Sequence, residues 1–257
     1  MSELPVGFFD SGVGGLSVLR EAIRVLPREN FIYYGDNKHA PYGTKGEQEI
    51  RELTFRGVGF LLEQGVKAIV VACNTATSVA VEDLRAAYPD IPVISMEPAV
   101  KPALALIQED GWVLMMATPA TISQKRYVSL LEHMYHGDRV INLACPGLPE
   151  LVEQGQVDSP VILDYLAEKF QPLRDKKVQA VVLGCTHYVF AERSIARMAR
   201  EVWGEAPVIH GHHGTVLQLK RVLQQRSMEA FHGGAVRYCS SGDDLSAYRT
   251  LMQLDLE

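Results

Sequence analysis

Cysteine is scarce in this chain, and none of Cys73, Cys145, Cys185 and Cys239 stands in a Cys-x-x-Cys pair. That excludes a zinc ribbon and a disulfide framework, so free thiols are expected. Long apolar runs are missing as well. No stretch approaches the ~20 residues that span a bilayer, and no basic segment precedes Val6-Gly7-Phe8-Phe9 as a secretory leader would require. No membrane partner is therefore expected, and a cytoplasmic location is. Basic blocks are absent and the net charge is −6, which argues against nucleic acid as a main partner. The run of His210, His212 and His213 has no second ligand group at telling spacing, so a solvated loop is expected there rather than a metal site. There is also no lysine motif for pyridoxal chemistry.

What is present is an ordinary globular composition, 47% apolar and 22% charged over 257 residues, enough for one or two domains. Its most informative feature is a repeat. Val66-Lys67-Ala68-Ile69-Val70-Val71-Ala72-Cys73-Asn74-Thr75 aligns without a gap on Val178-Gln179-Ala180-Val181-Val182-Leu183-Gly184-Cys185-Thr186-His187, 112 positions on. An apolar run without polar alternation reads as a strand of a parallel sheet buried on both faces. A cysteine at such a strand end is commonly just a small buried apolar residue. Two at matched ends, where open α/β sheets bind ligands, suggest instead a near-symmetric site with one sulfur on each side. Such a site suits removing a proton from one face of a carbon and returning it to the other. Cys145 and Cys239 have no counterpart and are read as structural.

The repeat extends further. Strand candidates at 6–9, 31–34, 68–72 and 92–95 are matched by 112–116, 139–143, 180–183 and 207–209. Helical spacing fills 16–25, 47–64, 77–87, 123–133, 160–170, 190–202 and 215–227. Alternation of this kind predicts an α/β fold of two pseudo-twofold-related α/β domains. Each would carry a mainly parallel four-stranded sheet flanked by helices, with the active site in the interdomain cleft. The expected division is 1–97 plus 210–257 against 98–209, with the weak tail from residue 230 folding back on the first domain.

Other motifs lie at expected strand ends. Asp10-Ser11-Gly12-Val13-Gly14-Gly15 has two glycines of a dinucleotide fingerprint, with Asp36 further on, but Ser17 replaces the third. Asp10 would also set a carboxylate against the phosphates. A glycine turn offering N–H groups and the Ser11 hydroxyl to a substrate carboxylate fits better. Pro41-Tyr42-Gly43-Thr44 is either a plain turn or a substrate-lining loop gripping a carboxylate through its amides and Tyr42. Thr118 and Thr121 follow the first strand of the second half, where their hydroxyls could bind an acid group or cap a helix. His187, two residues after Cys185, is the candidate to assist that thiol. Asn74 and Thr186 open the turns into helices, so both sulfurs are expected to feel helix dipoles.

Taken together, Asp10-Ser11-Gly12-Val13-Gly14-Gly15, Pro41-Tyr42-Gly43, Ala72-Cys73-Asn74-Thr75-Ala76 and Gly184-Cys185-Thr186-His187 resemble the glutamate racemase family over residues 6 to about 209. The related aspartate racemases typically carry an acidic residue at the His187 position and lack the glycine loop. The resemblance implies cofactor-independent interconversion of L- and D-glutamate, supplying D-glutamate for peptidoglycan, and a homodimeric enzyme. It implies that Cys73 and Cys185 are the two bases, that Asp10 assists Cys73, and that His187 with Glu153 assists Cys185. Ser11, Pro41, Tyr42, Gly43, Asn74, Thr75, Thr118, Thr121 and Thr186 would line the glutamate pocket. His210-Gly211-His212-His213 departs from the family's Asp/Asn-Ser-Gly pattern, as Asn37 and Ala117 do from theirs. A different class, a catalytically silent binding protein on this fold, would be told apart by its failure to exchange the Cα proton of glutamate.

Overall fold

In the computed structural model, which describes residues 2–242 and 245–254, nine strands form two all-parallel sheets. The first sheet contains β1 (Val6–Asp10), β2 (Phe31–Gly35), β3 (Ala68–Val71), β4 (Val93–Ser95) and β9 (Val236–Ser240), in the order β4-β3-β1-β2-β9. The second contains β5 (Trp112–Ala117), β6 (Val140–Ala144), β7 (Val178–Leu183) and β8 (Val208–His210), in the order β6-β5-β7-β8. Setting β9 aside, the two orders are one topology used twice. The chain steps from β1 to β2 on one side and then to β3 on the other, as it does from β5 to β6 and then to β7. Each sheet thus has its switch point beside its first strand, and an open α/β sheet places a ligand crevice there, beyond the carboxyl strand ends.

The apolar runs form strands because both faces of each sheet are covered. Val6 and Phe8 of β1 point into one core with Leu114 and Met116 of β5 and Val181 and Leu183 of β7. Phe9 faces a second core with Val71 and Leu61, while Val113, Met115 and Val182 enter a third. Alternate residues thus serve opposite faces, the period-2 geometry of a strand. Covering helices are α1 (Leu16–Val25), α2 (Glu47–Glu63), α3 (Asn74–Ala87), α4 (Val100–Leu104), α5 (Pro119–Ser123), α6 (Lys125–Glu132), α7 (Leu148–Glu153), α8 (Pro160–Phe170), α9 (Glu192–Trp203), α10 (His212–Gln225) and α11 (Ser246–Gln253).

Several expectations need correction. The first sheet has five strands rather than four, because the tail supplies β9, which pairs in parallel with β2 from Phe31↔Val236 to Gly35↔Ser240. The helix expected at 123–133 is α6, starting at Lys125, and a separate short helix, α5, precedes it across Gln124, which is extended at ψ 134°. Helix α3 begins at Asn74 and α10 at His212, both three residues before their expected starts. The histidine run is not a solvated loop: His210 ends β8, His212 is 4% exposed, and His213 pairs with Glu21 at 2.6 Å. Packing of α10 against the first sheet's helices drags it inward.

The turn into the tail is tied down by a buried ion pair. Lys67 Nζ lies 2.6 Å from Glu29 Oε2, with the side chains 1% and 3% exposed. The ammonium also donates to the carbonyls of Ser2 and Met228, and the Ala230 N–H donates to Glu29 Oε1 at 2.8 Å. Removing one partner of such a pair strands a buried charge. Lys67→Met should therefore destabilise the protein by about 3–5 kcal/mol, whereas adding Glu29→Leu should recover most of that loss. Urea midpoints of the two variants check this, and an unchanged midpoint for Lys67→Met would contradict it.

Candidate active site

The carboxyl ends of β1 and β3 face those of β5 and β7, and side chains from both sheets close around one cavity. It is lined by Ser11, Ala40, Pro41, Tyr42, Gly43, Cys73, Asn74, Thr75, Thr118, Pro149, Cys185, Thr186 and His187 and encloses about 20 Å³, roughly the room of one water. Asp10, Thr121 and Glu153 stand behind this lining. Pro149 and Ala40 were not singled out by sequence reasoning, having no reactive group to mark them. Larger clefts exist elsewhere; the one between β4 and α10, about 680 Å³, holds neither Cys73 nor Cys185.

The two sulfurs have unlike surroundings. Cys73 caps α3: the Ala76 N–H donates to its sulfur at 3.4 Å, and its own S–H donates to Ser11 Oγ at 3.4 Å. Burial pushes the Cys73 thiol up to about 12, and the nearby Asp10 carboxylate adds to the rise. Cys185 does not open an α-helix. It precedes the 3-10 segment Thr186–Ala191, so the expected helix dipole is replaced by an imidazole. His187 Nδ1 lies 3.8 Å from Cys185 Sγ, and His187 Nε2 lies 3.0 Å from Glu153 Oε1. Burial opposes the imidazolium, but the contacts with Cys185 and Glu153 outweigh it and hold the His187 pKa well above its ordinary value. A raised folded pKa means that His187 contributes stability below about pH 6.5, lost as pH rises through the folded value.

Asp10 is fully enclosed. Burial raises its carboxyl above the usual range, against His187 and the N–H groups of Gly12 and Gly15. Its Oδ2 accepts from Gly12 N at 3.0 Å and its Oδ1 from Thr186 Oγ1 at 3.3 Å, so it joins the first glycine loop to the second cysteine segment. Gly14 permits that approach, because a Cβ there would fall 2.3 Å from Thr186 Oγ1. Behind the loop, Tyr33 donates to the Gly12 carbonyl at 2.8 Å and stacks edge-on against Tyr248 of α11. Tyr248 in turn donates to Asn37 Oδ1 at 2.6 Å. The tail, read only weakly from sequence, thus buttresses the site.

The polar lining is hydroxyl-rich. Thr75 Oγ1 lies 3.0 Å from Thr118 Oγ1 and 3.2 Å from Thr121 Oγ1, and the latter two are 3.0 Å apart. Thr118 also caps α5, accepting from the Thr121 N–H. Asn74 Oδ1 is buried without a hydrogen-bond partner. The Tyr42 hydroxyl donates to Asp36 Oδ2 at 2.7 Å, so its proton is committed within the protein. Asp36, whose other oxygen meets His39 Nδ1 at 2.8 Å, is occupied too. Among the described residues no three His, Cys, Asp or Glu side chains gather as a metal-binding group.

Two parallel sheets sharing the topology of their first four strands bring a thiol from each to one enclosed cavity. The sequence model of Asp/Glu/hydantoin racemases matches residues 14–219. A glutamate racemase of Clostridium botulinum (strain Okra / Type B1) is 47% identical over 246 residues, covering 95% of this chain and 94% of that one. One from Clostridium perfringens is 49% identical over 230 residues, covering 90% and 87%. Among solved structures, glutamate racemase from Francisella tularensis in complex with D-glutamate superposes with a TM-score of 0.86 at 28% identity, covering 100% of this chain and 96% of that one. The Escherichia coli enzyme, in complex with L-glutamate and activator UDP-MurNAc-ala, superposes with a TM-score of 0.84 at 28% identity over 97% and 94%. This chain belongs to the Asp/Glu/hydantoin racemase family and is a racemase, an isomerase.

Two measurements check the electrostatic layout. The His187 imidazole, followed by NMR, should titrate above pH 6.5, and Glu153→Gln should lower its midpoint; an unshifted midpoint would break the Glu153 link. Alkylation of Cys73 should be slow at pH 8 and faster in Asp10→Asn, because removing the carboxylate relieves its repulsion of the thiolate.

Proposed function

We propose that this racemase interconverts L- and D-glutamate without a cofactor, Cys73 and Cys185 acting on opposite faces of Cα. The observation that carries the reading is the pair of buried thiols, one from each sheet, at one cavity whose polar lining includes the Ser11, Thr75, Thr118 and Thr186 hydroxyls, Asn74 and the His187 imidazole. The relatives named above as glutamate racemases support the choice of substrate.

An amino-acid Cα–H is a very weak acid, so the base needs help from groups that hold the substrate carboxylate as charge builds on it. The Thr75, Thr118 and Thr121 hydroxyls now bond one another and can turn their protons to a carboxylate, while Asn74 Oδ1 is left to accept from an ammonium group. For L-glutamate the Cys185 thiolate, beside the His187 imidazolium, takes the Cα proton to form S–H. The electron pair passes into the carboxylate, and the Cys73 thiol delivers its proton to the other face. The product is D-glutamate with Cys73 as thiolate; the reverse reaction starts from that state. The Cys73 thiol, raised to about 12, is suited to resting protonated. Asp10, linked to Thr186, receives Cys73's electrostatic influence rather than a direct bond.

Glutamate exceeds the present cavity many times over, so binding requires the sheets to part. Residues 1–97 with 210–257 and residues 98–209 are the two domains that would move. In a bacterial cell the product would serve peptidoglycan synthesis in the cytoplasm, and we assign the enzyme a homodimeric form. Two experiments test this reading. Wild-type protein incubated in D₂O with either enantiomer should incorporate deuterium at Cα, with racemisation followed by circular dichroism. Cys73→Ser and Cys185→Ser should each lose more than 90% of kcat, at least ~1.4 kcal/mol of transition-state stabilisation. A single variant retaining more than about a tenth of the rate would end the two-base scheme.

A further inference from the structure

The histidine at the start of α10 is far in sequence from both cysteines but is bonded to the segment that joins their surroundings. His212 Nε2 lies 3.5 Å from Ser17 Oγ, and Ser17 Oγ lies 2.7 Å from the Gly14 carbonyl and 3.2 Å from the Thr186 carbonyl. All three residues lie away from solvent: Ser17 is 3% exposed, His212 4% and Thr186 2%. We propose that His212 is a positioning residue for racemisation, holding Ser17 so that its single oxygen spans the glycine loop of the first sheet and the Cys185–Thr186 segment of the second. This rests on the glutamate racemase reading above.

The proton count supports the assignment. A serine hydroxyl has one proton, and both carbonyls can only accept, so that proton is directed to Gly14 and Thr186. The Ser17 lone pair then faces His212, which must donate from Nε2–H. Burial, helped by the neighbouring His210, lowers the His212 pKa well below its ordinary value, keeping the ring neutral with its proton free to sit on Nε2.

Position is fixed on both sides. Gly211, just before His212, lies against the Glu97 carbonyl so closely that a Cβ would come within 2.3 Å of it. The segment returning to the first sheet therefore rests directly on the segment leaving it, and His212 is anchored where the two halves hinge. At the other end there is no slack, since a Gly14 Cβ would also sit 2.4 Å from His187 Nδ1. A displaced Ser17 would carry Gly14 and Thr186 with it. Thr186 lies between Cys185 and His187 and donates to Asp10, so one hydroxyl sets the spacing of both half-sites.

The test compares His212→Leu, which removes the donor; His212→Gln, which keeps an N–H; Ser17→Ala; and the double variant Ser17→Ala/His212→Leu. Racemisation of L- and D-glutamate is followed by circular dichroism. His212→Leu and Ser17→Ala should each lower kcat about tenfold while changing KM less than about twofold, and His212→Gln should recover to within about threefold of wild type. The double variant should be no slower than Ser17→Ala alone, because both changes break one chain of contacts. Losses that multiply to about a hundredfold, a glutamine variant as slow as the leucine one, or a leucine variant within about twofold of wild type would each overturn the proposal. If His212→Leu does not fold, Ser17→Ala and His212→Gln decide it. An arm independent of turnover is the ¹⁵N spectrum of the histidine side chains. His212 should be the Nε2–H tautomer, with its Nε2 resonance moving in Ser17→Ala. An Nδ1–H tautomer or an imidazolium at neutral pH would overturn the assignment even if glutamate proved not to be the substrate.

Discussion

Beside the apolar core that the two sheets share, side-chain hydroxyls link them around the site. Thr75 reaches Thr118 and Thr121, Thr186 reaches Asp10, and Ser17 reaches the Thr186 carbonyl. Each such bond contributes about 0.5–1.5 kcal/mol net. Added to them is the exposed Arg126 of α6, which meets Glu82 of α3 and Glu97 after β4; exposed pairs of this kind add little. These bonds surround a cavity of about 20 Å³ and can be exchanged one for one with a polar ligand. The apolar contacts between the sheets could not serve in this way, because nothing in them could turn toward a carboxylate.

The strands carrying this site were legible because burial on both faces writes itself as largely apolar runs without polar alternation. β1, β3, β5 and β7 are of this kind, and the carboxyl ends of all four carry lining residues. β9 was not legible: Val236-Arg237-Tyr238-Cys239-Ser240 mixes polar and apolar residues because it is an edge strand only half covered. Helices α4 and α7, of five and six residues, are too short to show a 3.6 period. Glu153 was accessible only by resemblance, since its partner His187 lies 34 positions away.

The histidine run shows a different limit. A cluster of polar residues between a strand and a helix reads as solvent-facing, and for His213 that is so. His212 is turned inward by a contact made 195 positions away, and no local pattern encodes that. Tyr42 is the complementary case. It lines the cavity, but its hydroxyl is claimed by Asp36, a partner that the motif alone does not indicate.

The repeat is symmetric in backbone and asymmetric in electrostatics, and the proposed chemistry requires both. Matching strand order brings a thiol from each sheet to one cavity, which reaction on two faces of one carbon demands. Identical surroundings would then give the sulfurs the same protonation preference, leaving two bases and no acid, or the reverse. Here burial and the nearby Asp10 carboxylate favour the thiol at Cys73, while a histidine backed by Glu153 stands beside Cys185. The divergence enters at particular positions, Asp10 on one side and His187 on the other. Both are tied through Thr186 and the glycine loop, so the features that make the halves unlike are also those that lock them together.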